Sequence, residues 1–230
     1  MTTLIRYNLN KDLGVIYDKL SIKKFVILNK NNKNSNSTIL QNEYKGCRWY
    51  INQLKKRKKK YFYVSKNKNC LKFEIIKGHQ FKFWKNFIHK KNLIIKILDH
   101  YQNVWPKKHL VPFHGDLTLD NIFFLNNNEV YLIDWENFKI KEVWGLDICY
   151  FLISIVVLPH LVSKNKILSK KNINLFKFYW TLFFKNKKYK YLADPILYIQ
   201  KKIKDHNHFF FKIQPPLKKQ LLSVIKKDIL

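Results

Sequence analysis

The pattern of apolar and polar positions changes period several times along the chain. Thr2 to Tyr7, Gly14 to Leu20 and Lys24 to Lys30 are short runs rich in β-formers, joined by Asn-Lys and Ser-Ile connections, and they predict three strands. After the polar stretch Asn31 to Ser37 the period lengthens. Leu40, Tyr44, Cys47, Ile51 and Leu54 recur at helical spacing, which predicts a helix over 38–54 with one buried face. The run Lys55 to Lys60 reads as a solvated turn. Tyr61 to Val64 and Cys70 to Ile76 predict two more strands, and Phe81 to Val104 predicts a helix ended by Pro106.

Two further apolar segments, Asn121 to Leu125 and Glu129 to Ile133, flank Asn126, Asn127 and Asn128. They predict a hairpin with a two-residue turn at Asn127 and Asn128, because Asn tolerates positive φ. In that register residue 126 pairs with 129, and 121 with 134. The longest apolar run, Ile148 to Leu158, is followed by Pro159 and is about half the length needed to span a bilayer, so it predicts a buried helix. Helical patterns recur at Ile173 to Phe184 and Pro195 to Lys204, and a short helix is expected after Pro215 and Pro216. No internal repeat is evident. A soluble protein is expected, with no segment crossing a membrane.

Composition alters this picture less than its extremes suggest. The 230 residues carry a formal charge of +30, from 45 basic and 15 acidic side chains. Such an excess ordinarily points to nucleic acid or an anionic membrane. Yet only Arg6, Arg48 and Arg57 are arginine and Ala193 is the sole alanine, while Lys, Asn, Ile, Phe and Tyr abound. Those are the residues of A/T-rich codons, and codon drift raises lysine everywhere without a polyanion partner. Scarce arginine also argues against bidentate recognition of bases and phosphates. A nucleic-acid partner is therefore not expected. Cys47, Cys70 and Cys149 have no metal-ligand spacing and suit a reduced, cytoplasmic setting. His206 and His208 lie too close together on one segment to surround a zinc ion.

The candidate chemistry lies between residues 114 and 147. His114, Gly115 and Asp116 precede Asn121 by a few positions, and the second hairpin strand leads into Asp134, Trp135 and Glu136. Opposed across a ladder, Asn121 and Asp134 would stand roughly 5 Å apart at Cβ, close enough to share Mg²⁺, with Asp116 reaching over the same spot. An Asp before an apolar run is often only a helix cap, and that reading competes for Asp147.

These residues resemble those of the aminoglycoside phosphotransferase and choline kinase family, a small-molecule branch of the protein-kinase-like fold. The resemblance implies an α+β, two-lobed architecture: a β-rich nucleotide-binding lobe over 1–78 and a helical lobe over 79–230 with the catalytic loop and metal hairpin. It implies ATP or GTP as donor and Mg²⁺ as cofactor. Asp116 would accept or orient the proton of a substrate hydroxyl, while Asn121 and Asp134 would hold the metal. His114 would brace the loop, Glu136 would be an acidic residue following the metal aspartate, and Asp147 would open the next helix and tie it to the catalytic loop. The kinase plan also asks for a glutamate paired with a phosphate-binding lysine. Glu43, on the flank of the first helix's apolar face, and Lys30 fill those places, with Lys23 and Lys24 as alternatives. Glu74 to Gly78 resembles the hinge that meets the adenine edge.

The chain departs from that pattern in offering only Gly14 where kinases place a glycine-rich loop. Protein kinases themselves fit less well: position 115 is Gly where they carry arginine, and the interval from Asp134 to Asp147 is short for a peptide-docking segment. Two functions follow. One is transfer of the γ-phosphate to a hydroxyl of a small molecule, such as a sugar, an amino alcohol or a saccharide precursor. The other is a catalytically weak or inactive kinase-like module holding RNA or anionic membrane through its lysines.

Overall fold

The computed structural model describes residues 4–8, 13–17, 21–26, 35–59, 61–67, 70–74, 78–79, 87–125, 129–163, 167–185, 194–203 and 206–227. The chain divides into two compact units. One comprises Met1–His79, Gln102–Asp116 and Asn121–Trp144; the other comprises Gln80–Tyr101, Leu117–Asp120 and Gly145–Leu230. The architecture is α+β, with antiparallel sheets in the first unit and mainly helices in the second.

In the first unit, β1 (Leu4–Asn8), β2 (Leu13–Tyr17) and β3 (Ser21–Val26) precede α1 (Ser35–Lys56), followed by β4 (Val64–Asn67) and β5 (Cys70–Glu74). The strands form one antiparallel sheet in the order β1-β2-β3-β5-β4. This is the succession of three strands, a helix and two strands that the sequence pattern predicts. The strand expected over 61–64 is found instead at Val64–Asn67: the Tyr63 carbonyl still accepts the Glu74 N–H at 3.0 Å, but the Tyr63 N–H turns to the Glu74 carboxylate at 3.1 Å and the ladder begins at Val64. The buried face of α1 includes Leu40, Glu43, Cys47, Tyr50, Ile51 and Leu54, in steps of three or four with Tyr50 and Ile51 side by side. Leu40 packs on Leu71 of β5, with Ile39, Tyr44 and Phe73 around them.

Two small ladders complete this unit. β6 (Leu110–Phe113) pairs with β9 (Lys139–Val143), and β7 (Ile122–Phe124) with β8 (Val130–Leu132). The β6·β9 register shifts between Val111 and Phe113, where Pro112 has no N–H to give. The Pro112 carbonyl instead accepts the indole N–H of Trp105 at 2.7 Å.

The second unit contains α2 (Lys91–Val104, whose last turn joins the first unit), α3 (Leu146–Ser163), α4 (Lys170–Phe184), α5 (Pro195–Gln200) and α6 (Pro215–Lys227). The helix expected over 81–104 is described only from Lys91, after a 3₁₀ turn at Phe87–His89; residues 81–86 lie outside the described ones. Pro159 lies inside α3 rather than ending it. Helix α5 stops at Gln200, sooner than its sequence pattern suggests, and the double proline opens α6. By length and composition α3 could cross a membrane, yet 72% of it is buried inside the protein, including Asp147 and His160. It serves as the core of its unit. Helix α4 turns Phe176, Tyr179, Trp180, Phe183 and Phe184 inward, and the Tyr179 hydroxyl donates to the Ile88 carbonyl at 2.9 Å.

Candidate active site

Topology brings two connecting segments together in the first unit. One leads from β6 toward β7 and carries His114 and Asp116; the other leads from β8 to β9 and carries Asp134 and Glu136. Because β6 pairs with β9 and β7 with β8, both connections cross between the same two ladders. The Ile133 N–H donates to the Asn121 carbonyl at 3.1 Å, fastening one segment to the other.

The hairpin register differs by one residue from that expected. Phe124 pairs with Val130 and Ile122 with Leu132, so Asn121 faces Ile133 rather than Asp134. The connection spans three positions, 126–128, instead of two; those residues lie outside the described ones. In a structure of period two, such a slip would turn Asp134 to the opposite face. The chain leaves the ladder at that point: Asp134 has φ +62°, a left-handed conformation that Asp tolerates better than most residues.

His114 links both segments. Its Nε2–H donates to the Ile133 carbonyl at 2.8 Å, and its Nδ1 accepts the Asp116 N–H at 3.4 Å, an assignment consistent with a neutral ring. Burial pushes the His114 pKa down to about 4, against smaller raising effects from the Ile133 carbonyl and Asp134. The uncharged ring thus braces Asp134 without adding a cation beside it. Asn121 is buried; its Nδ2 donates to the Asp116 carbonyl at 2.7 Å and approaches Asp116 Oδ2 at 3.3 Å. That orientation turns the amide oxygen away from Asp116. Both carboxylates, of Asp116 and Asp134, remain half-buried.

The residue after Asp134 anchors the loop. Trp135 is fully buried; it stacks on Trp105 at 6.0 Å and lies 4.4 Å from the His114 ring, with Trp49, Tyr50 and Phe138 around it. Its indole N–H donates to the Leu132 carbonyl at 3.2 Å. Gly46 of α1 lets the helix approach this ring: a Cβ there would meet Trp135 Cβ at 2.7 Å and Cε3 at 2.9 Å. One turn on, the Tyr50 hydroxyl accepts the Leu132 N–H at 3.2 Å. Helix α1 therefore fixes the strand and tryptophan on either side of Asp134. Gly115 has φ +90°, and a Cβ would lie 2.5 Å from the Asn137 carbonyl oxygen, so the position admits no side chain.

Glu43, expected on the flank of the α1 face, lies within it and is only 1% exposed. A carboxylate at that depth requires compensating charge or hydrogen bonds. Lys30 lies outside the described residues, while Lys23 and Lys24 occupy β3 opposite Lys72 and Leu71. Glu136 is half-buried in the turn from Trp135 to Phe138, closed by the Phe138 N–H to Trp135 carbonyl bond at 3.0 Å. Asp147 belongs to the other unit, fully buried in the first turn of α3, where a carboxylate suits the helix dipole. In the hinge-like segment, residues 75–77 lie outside the described ones. The sequence reading missed Gly46, Tyr50 and Trp135. A glycine interrupting a strong helical pattern was the available signal for the first.

Oxygen donors of the kind offered by the Asp134 carboxylate and the Asn121 amide would fit a hard cation such as Mg²⁺, beside a His114 ring that burial keeps uncharged; among the described residues no three His, Cys, Asp or Glu side chains gather as a metal site.

Residues 63–144 match the phosphotransferase enzyme family. No curated protein matches the sequence. Among solved structures, the chain is similar to aminoglycoside phosphotransferase APH(2")-IIa, in a ternary complex with streptomycin and ATP, at 13% identity over 96% of this chain and 93% of that one, with a TM-score of 0.47. It is similar to ADP-bound APH(2'')-Ib at 12% identity over 100% and 95%, with a TM-score of 0.42. The Rio2 kinase of Chaetomium thermophilum aligns at 11% identity over 99% and 71%, with a TM-score of 0.39. All three scores lie below 0.5; the family match over 63–144 stands apart from them.

Proposed function

We propose that this protein is an ATP- and Mg²⁺-dependent phosphotransferase that moves the γ-phosphate to a hydroxyl of a small molecule. The observation that carries the reading is the joining of Asp116, Asn121 and the Asp134 segment by short hydrogen bonds within one unit, inside the stretch that matches the phosphotransferase family. In this mechanism Asp116 orients the acceptor hydroxyl and takes its proton. The Asn121 Nδ2 helps hold that carboxylate in place, while the Asn121 amide oxygen and the Asp134 carboxylate would hold Mg²⁺. Mg²⁺ bound there would neutralise charge on the nucleotide phosphates. Positioning and charge neutralisation supply most of the rate, since phosphoryl transfer asks little covalent chemistry of the protein. Residues 1–78, with Glu43 and a β3-region lysine such as Lys30, would take the nucleotide, and 79–230 the acceptor.

Two features favour a small acceptor over a peptide. The protein-kinase arginine has no room at position 115, where a Cβ already meets the Asn137 carbonyl. Between Asp134 and Asp147 the chain is occupied by a turn and β9, leaving no length for a docking segment. ATP dependence, and Cys47, Cys70 and Cys149 not being joined in disulfides, favour a cytoplasmic setting.

The test begins with thermal shifts in Mg·ATP and Mg·GTP, where a ligand at 100 times its Kd adds about 2.7 kcal/mol to stability. Sugars and amino alcohols are then screened for nucleotide-dependent phosphorylation. Asp134→Ala should keep the fold and abolish turnover, and Asp116→Asn should slow it by at least about 100-fold. Full turnover by Asp134→Ala, or no stabilisation by either nucleotide, would refute the reading.

A further inference from the structure

A second surface of the first unit has chemistry that phosphoryl transfer does not use. Helix α1 runs out into Lys55, Lys56, Arg57, Lys58 and Lys59, of which the first four are exposed. Buried Phe62 then pins the chain, and its neighbours Tyr61 and Tyr63 form an edge-on pair 5.6 Å apart, with Tyr63 67% exposed. The Lys55 ammonium sits 4.5 Å above the Tyr61 ring. A hydrogen bond with Tyr61 raises the Tyr63 phenol above its ordinary range, so it stays a neutral hydrogen-bond donor. The patch continues into β4, an edge strand whose Ser65, Lys66 and Asn67 are exposed. Glu74, the carboxylate that reaches this surface, accepts the Tyr63 N–H.

Codon drift accounts for lysine across the chain but not for lysine at position 58. The helix ends in a Schellman motif, with the Lys59 N–H on the Leu54 carbonyl and the Lys58 N–H on the Lys55 carbonyl, both at 3.0 Å. This geometry puts Lys58 at φ +53°, where Gly or Asn is preferred. Asn is abundant in this sequence and equally A/T-rich in its codons. An unbroken cationic run is thus kept where an equally accessible residue suits the backbone better.

We propose that the end of α1, Tyr61 and Tyr63 and the edge strand β4 form a docking surface for single-stranded nucleic acid. The clustered cations complement the charge of a phosphate backbone, and the exposed Tyr63 ring offers a stacking face for a base. Hydroxyl-bearing rings beside lysines, in place of exposed Leu, Ile or Phe, favour a base-bearing polyanion over a lipid surface. The surface is built from residues outside the candidate active site and does not depend on the proposed activity.

The experiment is fluorescence anisotropy of the full chain with labelled oligo(U) and oligo(dT) over a range of KCl, the two probes separating RNA from DNA. Tyr63→Ala should weaken binding roughly 5- to 150-fold, the range for loss of one stacked base, whereas Tyr63→Phe should stay within about twofold. Changing Lys55, Lys56, Lys58 and Lys59 together to Gln should flatten the slope of log affinity against log salt by roughly 0.7 per lysine. The same change at Lys170, Lys171 and Lys177 of α4 and at Lys185, its C-cap, should leave it largely unaltered. Equal losses from the two quartets, indifference to Tyr63→Ala, no binding at low salt, or displacement of the oligonucleotide by phosphatidylglycerol vesicles would each overturn the proposal. Should Tyr63→Ala fail to fold, Tyr63→Phe and the two quartets still decide it.

Discussion

Acidification should weaken this protein through His114, and the size of the effect follows from its burial. In the unfolded chain the ring titrates near 6.5; in the fold, burial depresses it to about 4. Above pH 6.5 the ring is neutral in both states and the fold keeps its full stability. Between 6.5 and 4 the unfolded chain gains a proton that the native state refuses, so stability falls with pH. From pH 7.5 to 4.5 this single site should cost about 2.5 kcal/mol, a large share of a typical domain's stability. Urea denaturation of the native sequence and of His114→Gln, at both pH values, isolates the contribution from other titrating groups. Gln retains a donor toward the Ile133 carbonyl and does not titrate. The variant should be weaker at pH 7.5, by about 1–3 kcal/mol for the imperfect replacement of a buried hydrogen-bonded ring, with the deficit vanishing or reversing at pH 4.5. A deficit equal at both pH values would refute the idea that His114 is held neutral.

Other positions carry predictions of their own. Gly46→Ala gains about 1 kcal/mol of helix propensity but drives a methyl into buried Trp135, so a net loss of about 1–2 kcal/mol is expected in chemical denaturation; a gain would mean α1 can shift away. Tyr50→Phe leaves the Leu132 N–H without that acceptor and should cost about 1–3 kcal/mol, with an unchanged melting temperature counting against the contact. Lys58→Gly relieves a left-handed lysine and should raise stability by roughly 0.5–1 kcal/mol while weakening oligonucleotide binding; destabilisation would contradict the helix-end geometry.

Local pattern determined much of this protein. The helical spacing from Leu40 to Leu54 and the hairpin halves are set by nearest-neighbour periodicity and appear in the structure with their ends moved, whereas the strands expected over 24–30 and 61–64 are found displaced, at Ser21–Val26 and Val64–Asn67, with 27–30 outside the described residues. The spacing of His114, Asp116, Asn121 and Asp134 was also legible as a candidate set, and the structure joins their segments through hydrogen bonds at Ile133, Asn121 and Asp116. What the sequence left undecided depends on residues distant along the chain. The one-residue slip of the hairpin lies in which residues pair across the ladder, which periodicity does not encode. Glu43 appeared to flank an apolar stripe because a charge is normally excluded from one; only the packed sheet and helix put it inside. Gly46 is accounted for only by Trp135, nearly ninety positions later, which fills the space a side chain there would take. Periodicity assigns faces, whereas register, burial of charge and close approach are decided when distant segments compete for the same volume.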